Sequence, residues 1–282
     1  MKQKIKLNFA DFWPGFDKKD NFFYRLLKEY YDIEISDSPN YLICSCFGKE
    51  HKKFNGIKIF YTGENIRPDL SQYDYAFSFD YMAHPNHYRL PVYALYFDPF
   101  KLEREMNIDF EKILYEKTGF CCFVVSNAKA KKRIKFFNKL SKYKKVDSGG
   151  KYLNNIGGPI KDKLQFIRRF KFIISFENSS HAGYTTEKIA ESFLEYCLPI
   201  YWGNPLVDRD FNPKSFLNYH DFKNEDGLIE KIIELDKNDD LYLSYLKQPC
   251  YHRNKINNFV RHENIIDQFN YIFSNSEKLT EY

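Results

Sequence analysis

The sequence predicts an α/β protein with two domains, each built around a parallel sheet, and two observations carry this prediction. The first is residues 170–205, in which two short apolar runs flank an amphipathic segment of about three helical turns. This order of strand, helix and strand is typical of a βαβ unit, and such units build parallel sheets. The second is the length of 282 residues, which is too long for one typical domain and suits two of about 100 to 150 residues.

Composition indicates a globular protein and excludes several other classes. Hydrophobic residues make up 43% of the chain and aromatic residues 19%, which is enough for two cores. The net charge of +5 is spread along the chain without a dense basic tract, so we expect no nucleic-acid partner. No signal peptide opens the chain and no apolar run approaches the roughly 20 residues of a membrane span. We therefore expect a cytoplasmic protein, with peripheral contact at the inner face of the membrane left open.

The cysteines have no spacing that predicts a zinc site. Five of the six lie in or next to apolar runs, and neither the C-x-C nor the C-C pair has a second pair at ligand spacing. We expect free thiols in a reducing compartment. The six are Cys44, Cys46, Cys121, Cys122, Cys197 and Cys250.

Apolar runs and turn residues place the elements of the first half. A helix is predicted over residues 20–31 because its apolar residues follow helical spacing, with Asp20 as its N-cap. Short apolar runs predict strands within residues 4–12, 31–35, 41–47, 57–61 and 73–80.

In the second half, the βαβ unit of residues 170–205 is preceded by a strand over 119–125 and a basic amphipathic helix. The tail over 258–273 is amphipathic and predicts either a packed helix or a membrane-surface contact. Further helices are expected over 160–170, 229–235 and 241–246, and a glycine-containing turn over 146–151.

A polar turn joins the strand of residues 170–176 to the helix over 185–196, at the edge of the sheet where ligands bind in α/β folds. Thr185 or Thr186 can cap this helix, which leaves Glu187 and Lys188 in its first turn. The amino end of a helix favours an anion such as a phosphate. Lys188 could therefore contact a diphosphate and Glu187 the hydroxyls of a sugar. The alternative is that Glu187 only complements the helix dipole and that Lys188 is solvated.

A second carboxylate follows a strand in the first half. Glu64 comes three residues after the strand of residues 57–61, and Gly63 lets the chain turn beside it. A carboxylate at the carboxyl end of a parallel strand is well placed for a site, although a solvated loop glutamate is the alternative.

Several ordered motifs resemble the α-1,3/4-fucosyltransferases, which form glycosyltransferase family 10. The residues are FENS at 176–179, Tyr184, TEK at 186–188, PIYWG at 199–203, YTGEN at 61–65, the FD and RLP segments within 79–91, SNA at 126–128 and VDSGGK at 146–151. The resemblance implies the GT-B fold class, in which two Rossmann-like domains face each other across a cleft. It divides the chain into an acceptor-binding domain over 1–117 and a GDP-fucose-binding domain over 118–282.

The resemblance also implies a reaction and a role for each matching residue. An inverting transferase would move L-fucose from GDP-fucose to the 3-hydroxyl of N-acetylglucosamine in a lactosamine-type glycan. Glu64 would be the general base. Arg133 and Lys188 would neutralise the diphosphate, Asn178 and Glu187 would hold donor hydroxyls, and Tyr184 would line the pocket. No metal ion is expected to be required, and stimulation by Mn²⁺ is left open.

Two other interpretations fit the same residues. Another inverting GT-B transferase would use a different sugar nucleotide, and a glycan-binding protein without catalysis would not need Glu64. The loops over 12–20 and 80–90 are expected to select the acceptor chain. Weaker candidates for acceptor contacts are Asp80, His84, His87 and Arg89.

Overall fold

The computed structural model describes residues 2–277 and divides into two compact units. The first unit runs to Tyr96 and is completed by the chain from Asn257 onwards, and the second is Phe97–Ile256. Each unit contains one parallel sheet, so the prediction of two parallel α/β domains is confirmed.

The first unit is built on a six-stranded sheet of order β2-β1-β3-β4-β5-β6. Every pair of neighbouring strands is parallel. Because β1 lies between β2 and β3, the direction in which strands are added reverses at β1. The strands are Lys4–Ala10 (β1), Asp32–Ile35 (β2), Tyr41–Cys44 (β3), Ile57–Tyr61 (β4), Tyr75–Ser78 (β5) and His87–Arg89 (β6).

Helices from both ends of the chain cover this sheet. Helix α1 is Phe22–Tyr30, and its N-cap is Asn21, whose side chain accepts from the Tyr24 N–H at 3.0 Å. The predicted cap, Asp20, is therefore wrong by one residue. Its carboxylate pairs with Arg25 instead. A short helix, α2, is Tyr93–Tyr96.

The last described helix belongs to the first unit. Helix α9, His262–Glu277, stacks the ring of Phe269 on Phe77 at 4.8 Å between centroids. Phe273 packs on Tyr41 at 4.6 Å. The tail is therefore a packed helix, which was one of the two predicted alternatives.

The second unit is built on a five-stranded parallel sheet of order β11-β10-β9-β7-β8. Its strands are Gly119–Phe123 (β7), Val146–Ser148 (β8), Phe170–Phe176 (β9), Leu198–Trp202 (β10) and Leu217–Asn218 (β11). Its helices are Phe110–Tyr115 (α3), Lys131–Leu140 (α4), Lys163–Arg168 (α5), Glu187–Leu194 (α6), Glu225–Lys237 (α7) and Asp239–Leu246 (α8).

The change from the first unit to the second comes after Tyr96, whereas the sequence analysis expected it at residue 117. The reason is that the segment after Tyr96 bonds to the far end of the second unit. Arg104 donates to the Leu246 carbonyl at 2.7 Å, and its N–H donates to Asn254 at 2.7 Å. These bonds fix the segment to the second unit.

Two expectations about the whole chain can be compared with the structure. All six cysteines are free thiols, and every one except Cys46 is buried. Within residues 2–277, no helix has the length and apolar character that crossing a membrane requires.

Candidate functional site

The second sheet has one point at which the direction of strand addition reverses. Strand β8, the next strand in the chain after β7, pairs with one side of β7, and β9 pairs with the other side. The chain leaves β7 towards α4 and leaves β9 towards α6. Ligands bind at such a point, outside the carboxyl ends of the strands, because the two connections separate there and leave a crevice. Arg133 on α4 and Lys188 on α6 therefore come to the same edge of the sheet.

Glu177 organises this edge. It follows β9 directly, and none of its surface is exposed. Its carboxylate accepts the Thr186 backbone N–H at 2.8 Å and the Thr186 hydroxyl at 2.7 Å. A carboxylate at the amino end of α6 also complements the helix dipole. The anion-binding capacity expected of this helix end is thus partly taken by the protein itself.

Lys188 uses all three of its ammonium donors. They reach Thr186 Oγ1 at 2.7 Å, Glu177 Oε2 at 3.0 Å and Glu187 Oε1 at 3.3 Å. The side chain is 20% exposed, so the alternative of a solvated lysine is wrong. Burial acts to lower the pKa of Lys188, but attraction by Glu177 and Glu187 exceeds this effect and holds the pKa above its ordinary value of 10.5. Lys188 is a firmly protonated cation.

Glu187 is a carboxylate at ordinary pH. Burial acts to raise its pKa, but Lys188 and then Lys163 outweigh burial, so the pKa lies below its ordinary value of 4.5. Its bond to Lys188 is the longest of the three that the ammonium makes. That bond is therefore the one most easily exchanged for another partner.

Arg133 is 2% exposed, on the third residue of α4. Its Nη2 donates to the Asn127 carbonyl at 2.9 Å, while its buried Nε has no hydrogen-bond partner in residues 2–277. Burial lowers the pKa of Arg133, and the charge of Glu177 opposes that shift. An unsatisfied buried donor costs free energy unless a ligand pairs with it, and a guanidinium is suited to phosphate oxygens.

A rigid frame holds the turn between Glu177 and α6. The fully buried Asn204 accepts the Gly183 N–H at 2.7 Å and donates to Thr185 at 3.0 Å. A Cβ on Gly203 would lie 2.4 Å from Glu177 Cγ, so only glycine allows this approach. Tyr184 is 3% exposed and interacts electrostatically with both Arg133 and Lys188.

The structure brings four of the predicted residues together in the second unit. Arg133, Tyr184, Glu187 and Lys188 are linked through Glu177 or directly. Asn178 follows Glu177, and its side chain is exposed. The roles assigned to these five residues remain predictions.

Glu64 lies in the first unit, beyond the carboxyl end of β4. Its side chain is exposed, and its backbone N–H donates to Thr62 Oγ1 at 3.0 Å. The loop is therefore shaped by the backbone and Thr62, which leaves the Glu64 carboxylate accessible.

Three of the weaker acceptor candidates have structural partners within the first unit. The carboxylate of Asp80 pairs with Arg67 and accepts from Ser78 at 2.9 Å. Ser78 also lies 2.8 Å from His87 Nε2. The guanidinium of Arg89 lies 4.3 Å from the ring centroid of Tyr81. These contacts explain the positions of the three residues, and no ligand is needed for that. The remaining candidate, His84, is exposed.

Sequence reasoning missed two residues at the carboxyl edge of the second unit's sheet. Glu177 received no role, although a carboxylate directly after a buried strand was a usable signal. Lys132 also received no role, yet its ammonium lies 3.9 Å from the ring centroid of Tyr219 and 5.4 Å from that of Trp202. No pattern in the sequence linked Lys132 to those rings.

No metal site is evident in the part of the chain that the structure describes. No group of three or more histidine, cysteine, aspartate or glutamate side chains in residues 2–277 is arranged to hold an ion.

Fold and site together define the class of this protein, and sequence comparison defines its family. The two parallel α/β units, together with their similarity to a crystal structure of α1,3-fucosyltransferase at a TM-score of 0.85 and 28% identity, assign the protein to the GT-B class. Residues 7–96 match the α-(1,3)-fucosyltransferase FucT N-terminal domain, and residues 114–281 match the C-terminal part of glycosyltransferase family 10 (fucosyltransferase). The chain belongs to glycosyltransferase family 10.

Individual relatives agree with this assignment. The chain is 32% identical to an α-(1,3)-fucosyltransferase of Helicobacter pylori over 86% of this chain and 59% of that protein. It thus spans little more than half of that relative's length. A mouse 4-galactosyl-N-acetylglucosaminide 3-α-L-fucosyltransferase 9 is 35% identical over 46% of this chain and 36% of its own. A crystal structure of α1,3-fucosyltransferase with GDP-fucose is similar with a TM-score of 0.82 at 28% identity, covering 96% of this chain and 91% of that one.

Proposed function

We propose that this protein is an inverting α-1,3-fucosyltransferase that moves L-fucose from GDP-fucose to the 3-hydroxyl of N-acetylglucosamine in a lactosamine-type glycan. The observation that carries the proposal is the cluster of Arg133, Glu177 and Lys188 at the switch point of the second sheet. The family and the similar crystal structure of α1,3-fucosyltransferase with GDP-fucose support it.

The donor diphosphate is held by two cations. A phosphate oxygen replaces Glu187 on the Lys188 ammonium, where the contact of 3.3 Å is the weakest of the three. A second oxygen accepts from Arg133, whose buried Nε supplies a donor. Glu187 then accepts hydrogen bonds from hydroxyls of the donor sugar, and the exposed Asn178 forms further hydrogen bonds with them. Tyr184 forms part of the wall. Fixed donors stabilise the charge that develops on the departing diphosphate.

The reaction is a single in-line displacement. The acceptor 3-hydroxyl attacks the anomeric carbon of fucose, the bond from that carbon to the diphosphate oxygen breaks, and GDP leaves with the electron pair. Glu64 takes the proton of the hydroxyl as general base. The β linkage of the donor becomes an α linkage in the product, and one carboxylate is enough for this chemistry.

We also propose that catalysis does not require a metal ion, because Arg133 and Lys188 can neutralise the diphosphate. The measurement is the rate of transfer in EDTA compared with the rate after Mn²⁺ is restored. A rate that is undetectable in EDTA and returns with Mn²⁺ would contradict this part of the proposal.

A cytoplasmic location is proposed from the six free thiols, which persist in reducing compartments. Cell fractionation tests it, and recovery of the protein outside the cytoplasmic fraction would overturn it. Recovery with the membrane, removed by salt, would instead indicate peripheral attachment.

The deciding experiment incubates purified protein with GDP-fucose and N-acetyllactosamine in EDTA and then measures the product mass. The gain of one deoxyhexose is the expected result, and nuclear magnetic resonance then assigns the linkage. Release of GDP without a fucosylated product would retain the donor and reject the acceptor. Neither product nor GDP, with or without Mn²⁺, would reject the function, and a panel of other sugar nucleotides would follow.

A further inference from the structure

The first unit contains a cavity of about 380 Å³ at the carboxyl edge of its sheet. Phe12 and Trp13 follow β1, and Gly63 follows β4, so the cavity is bounded by residues just beyond strand ends. The direction of strand addition in this sheet reverses at β1. The cavity therefore lies where an α/β sheet binds its ligand, and it has the volume of a small-molecule site.

Aromatic residues make up half of the fourteen that line it. Two of them are well exposed, Trp13 at 49% and Tyr96 at 65%. Large aromatic side chains at the surface of a cavity offer a flat apolar face to a ligand. The wall includes Phe12, Trp13, Phe16, Phe22, Tyr61 and Tyr96.

The exposed indole of Trp13 is held in place by other rings. Its centroid lies 5.2 Å from that of Phe16, 5.7 Å from Phe12 and 6.3 Å from Phe47. Phe12 and Phe16 themselves stack at 4.0 Å. A ring fixed in this way loses little conformational entropy when a ligand binds, which is the energetic advantage of a preorganised site.

The charged residues that line the cavity are both carboxylates, Asp17 and Asp20. Asp17 keeps Oδ1 bonded to the N–H groups of Lys19 and Asp20, at 2.8 and 3.1 Å. No lysine, arginine or histidine of residues 2–277 lines the cavity. An anionic ligand such as a phosphate is therefore disfavoured. A neutral ligand with an apolar face and hydroxyl donors, such as a pyranose, matches the wall and the rim.

We propose that this cavity binds the β-galactosyl residue of the acceptor, with Trp13 as the stacking platform. The inference rests on the proposed function. In β-galactose, the C–H groups at positions 3, 4 and 5 lie on one face and carry partial positive charge, which complements the negative face of an indole. The outward hydroxyls of the sugar donate to Asp17.

The position of the cavity fits the geometry of the acceptor. Gly63 forms part of the wall and is adjacent to Glu64 in the chain. In a 4-galactosylated N-acetylglucosamine, the 3-hydroxyl that receives fucose is next to the galactosyl linkage. A galactosyl residue in the cavity therefore keeps that hydroxyl near the carboxylate proposed as its base.

The first test compares two acceptors in the Trp13→Ala protein. The ratio of kcat/KM for N-acetyllactosamine to that for N-acetylglucosamine is expected to fall about tenfold, because an aromatic anchor that becomes covered by its ligand is worth at least that much. The KM for N-acetyllactosamine is expected to rise, and Trp13→Phe is expected to restore most of the wild-type ratio. Tyr115→Ala, which changes a tyrosine that is 90% exposed in the second unit, is the control. An unchanged ratio in Trp13→Ala would overturn the inference.

The second test measures binding without catalysis. The chain has two tryptophans, so a Trp202→Phe protein reports only on Trp13. Its fluorescence is titrated with methyl β-galactoside, with methyl α-mannoside as the control sugar. A saturable change with the galactoside alone supports the inference even if fucosyl transfer fails. No change with the galactoside overturns the inference even if transfer succeeds.

Discussion

The carboxyl edges of the two sheets carry their charged groups in opposite ways. In the second unit, Glu177 is fully buried and Lys188 has no ammonium donor left unbonded. In the first unit, Glu64 is exposed and its loop is held through the backbone. The fold thus fixes the charged groups at the carboxyl edge of the second sheet, whereas the first sheet leaves its carboxylate accessible. A change at the second edge should therefore disturb stability and activity together, and a change of Glu64 should disturb activity alone.

The largest effect is expected for Glu64→Gln. Loss of the proposed base should reduce the kcat of transfer about 10³-fold, within the usual range for general base catalysis. Because the side chain is exposed, the urea midpoint and the Kd for GDP-fucose should stay at their wild-type values. Steady-state kinetics, urea unfolding and calorimetry measure the three quantities. Transfer at near the wild-type rate would remove Glu64 from the mechanism.

The next effect is expected for Lys188→Ala. Transfer should fall about 10²-fold because the diphosphate loses a cation. The free energy of unfolding should also fall, by about 3 kcal/mol, because the buried Glu177 charge loses its partner. A Lys188→Ala, Glu177→Gln double variant should recover stability without recovering transfer. Recovery of both would mean that Lys188 acts only on the fold.

Arg133→Ala should reduce transfer at least tenfold, mainly through the Kd for GDP-fucose. Arg133→Lys is the matched control, since it keeps the charge and loses the fork that pairs with two oxygens. We expect the lysine variant to lie between the wild type and the alanine variant. If both variants bind GDP-fucose as well as the wild type, Arg133 does not contact the donor.

The smallest effect concerns pH. The pKa of Glu187 is lower in the folded protein than its ordinary value of 4.5, so its contribution to stability is present above pH 4.5 and is lost as pH falls through the folded pKa. Glu187→Gln should therefore flatten the decline of stability below pH 4.5. Urea midpoints of the two proteins between pH 3 and 6 measure this. A parallel decline in both proteins would show that Glu187 does not contribute.

Sequence predicted the long elements well and the shortest ones poorly. The strands Ile57–Tyr61 and Phe170–Phe176 have their predicted ends because each is a mainly apolar run followed by polar or glycine residues. The strands His87–Arg89 and Leu217–Asn218 were missed, and Val146–Ser148 lies where only a turn was predicted, since two or three residues are too few to show a period.

The sequence indicated candidate site residues but not the hydrogen bonds that hold them. The motifs and the resemblance indicated Lys188 and Arg133. The bonds from Glu177 to residues nine and eleven positions later depend on a turn held by Asn204 and on the missing side chain of Gly203. Contacts of this kind depend on tertiary packing, which local periodicity does not record. The sequence did not predict the aromatic cavity itself; it indicated only that the loop over 12–20 selects the acceptor.

The packing of α9 on the first sheet has a consequence for synthesis on the ribosome. Phe77 is made early, but Phe269, which stacks on it, follows only after the whole second unit. The second unit is continuous in the chain, so it can bury its core while the first still lacks a helix. The first unit is therefore completed last, and a nascent chain gains the proposed donor site before it completes the proposed acceptor-binding unit.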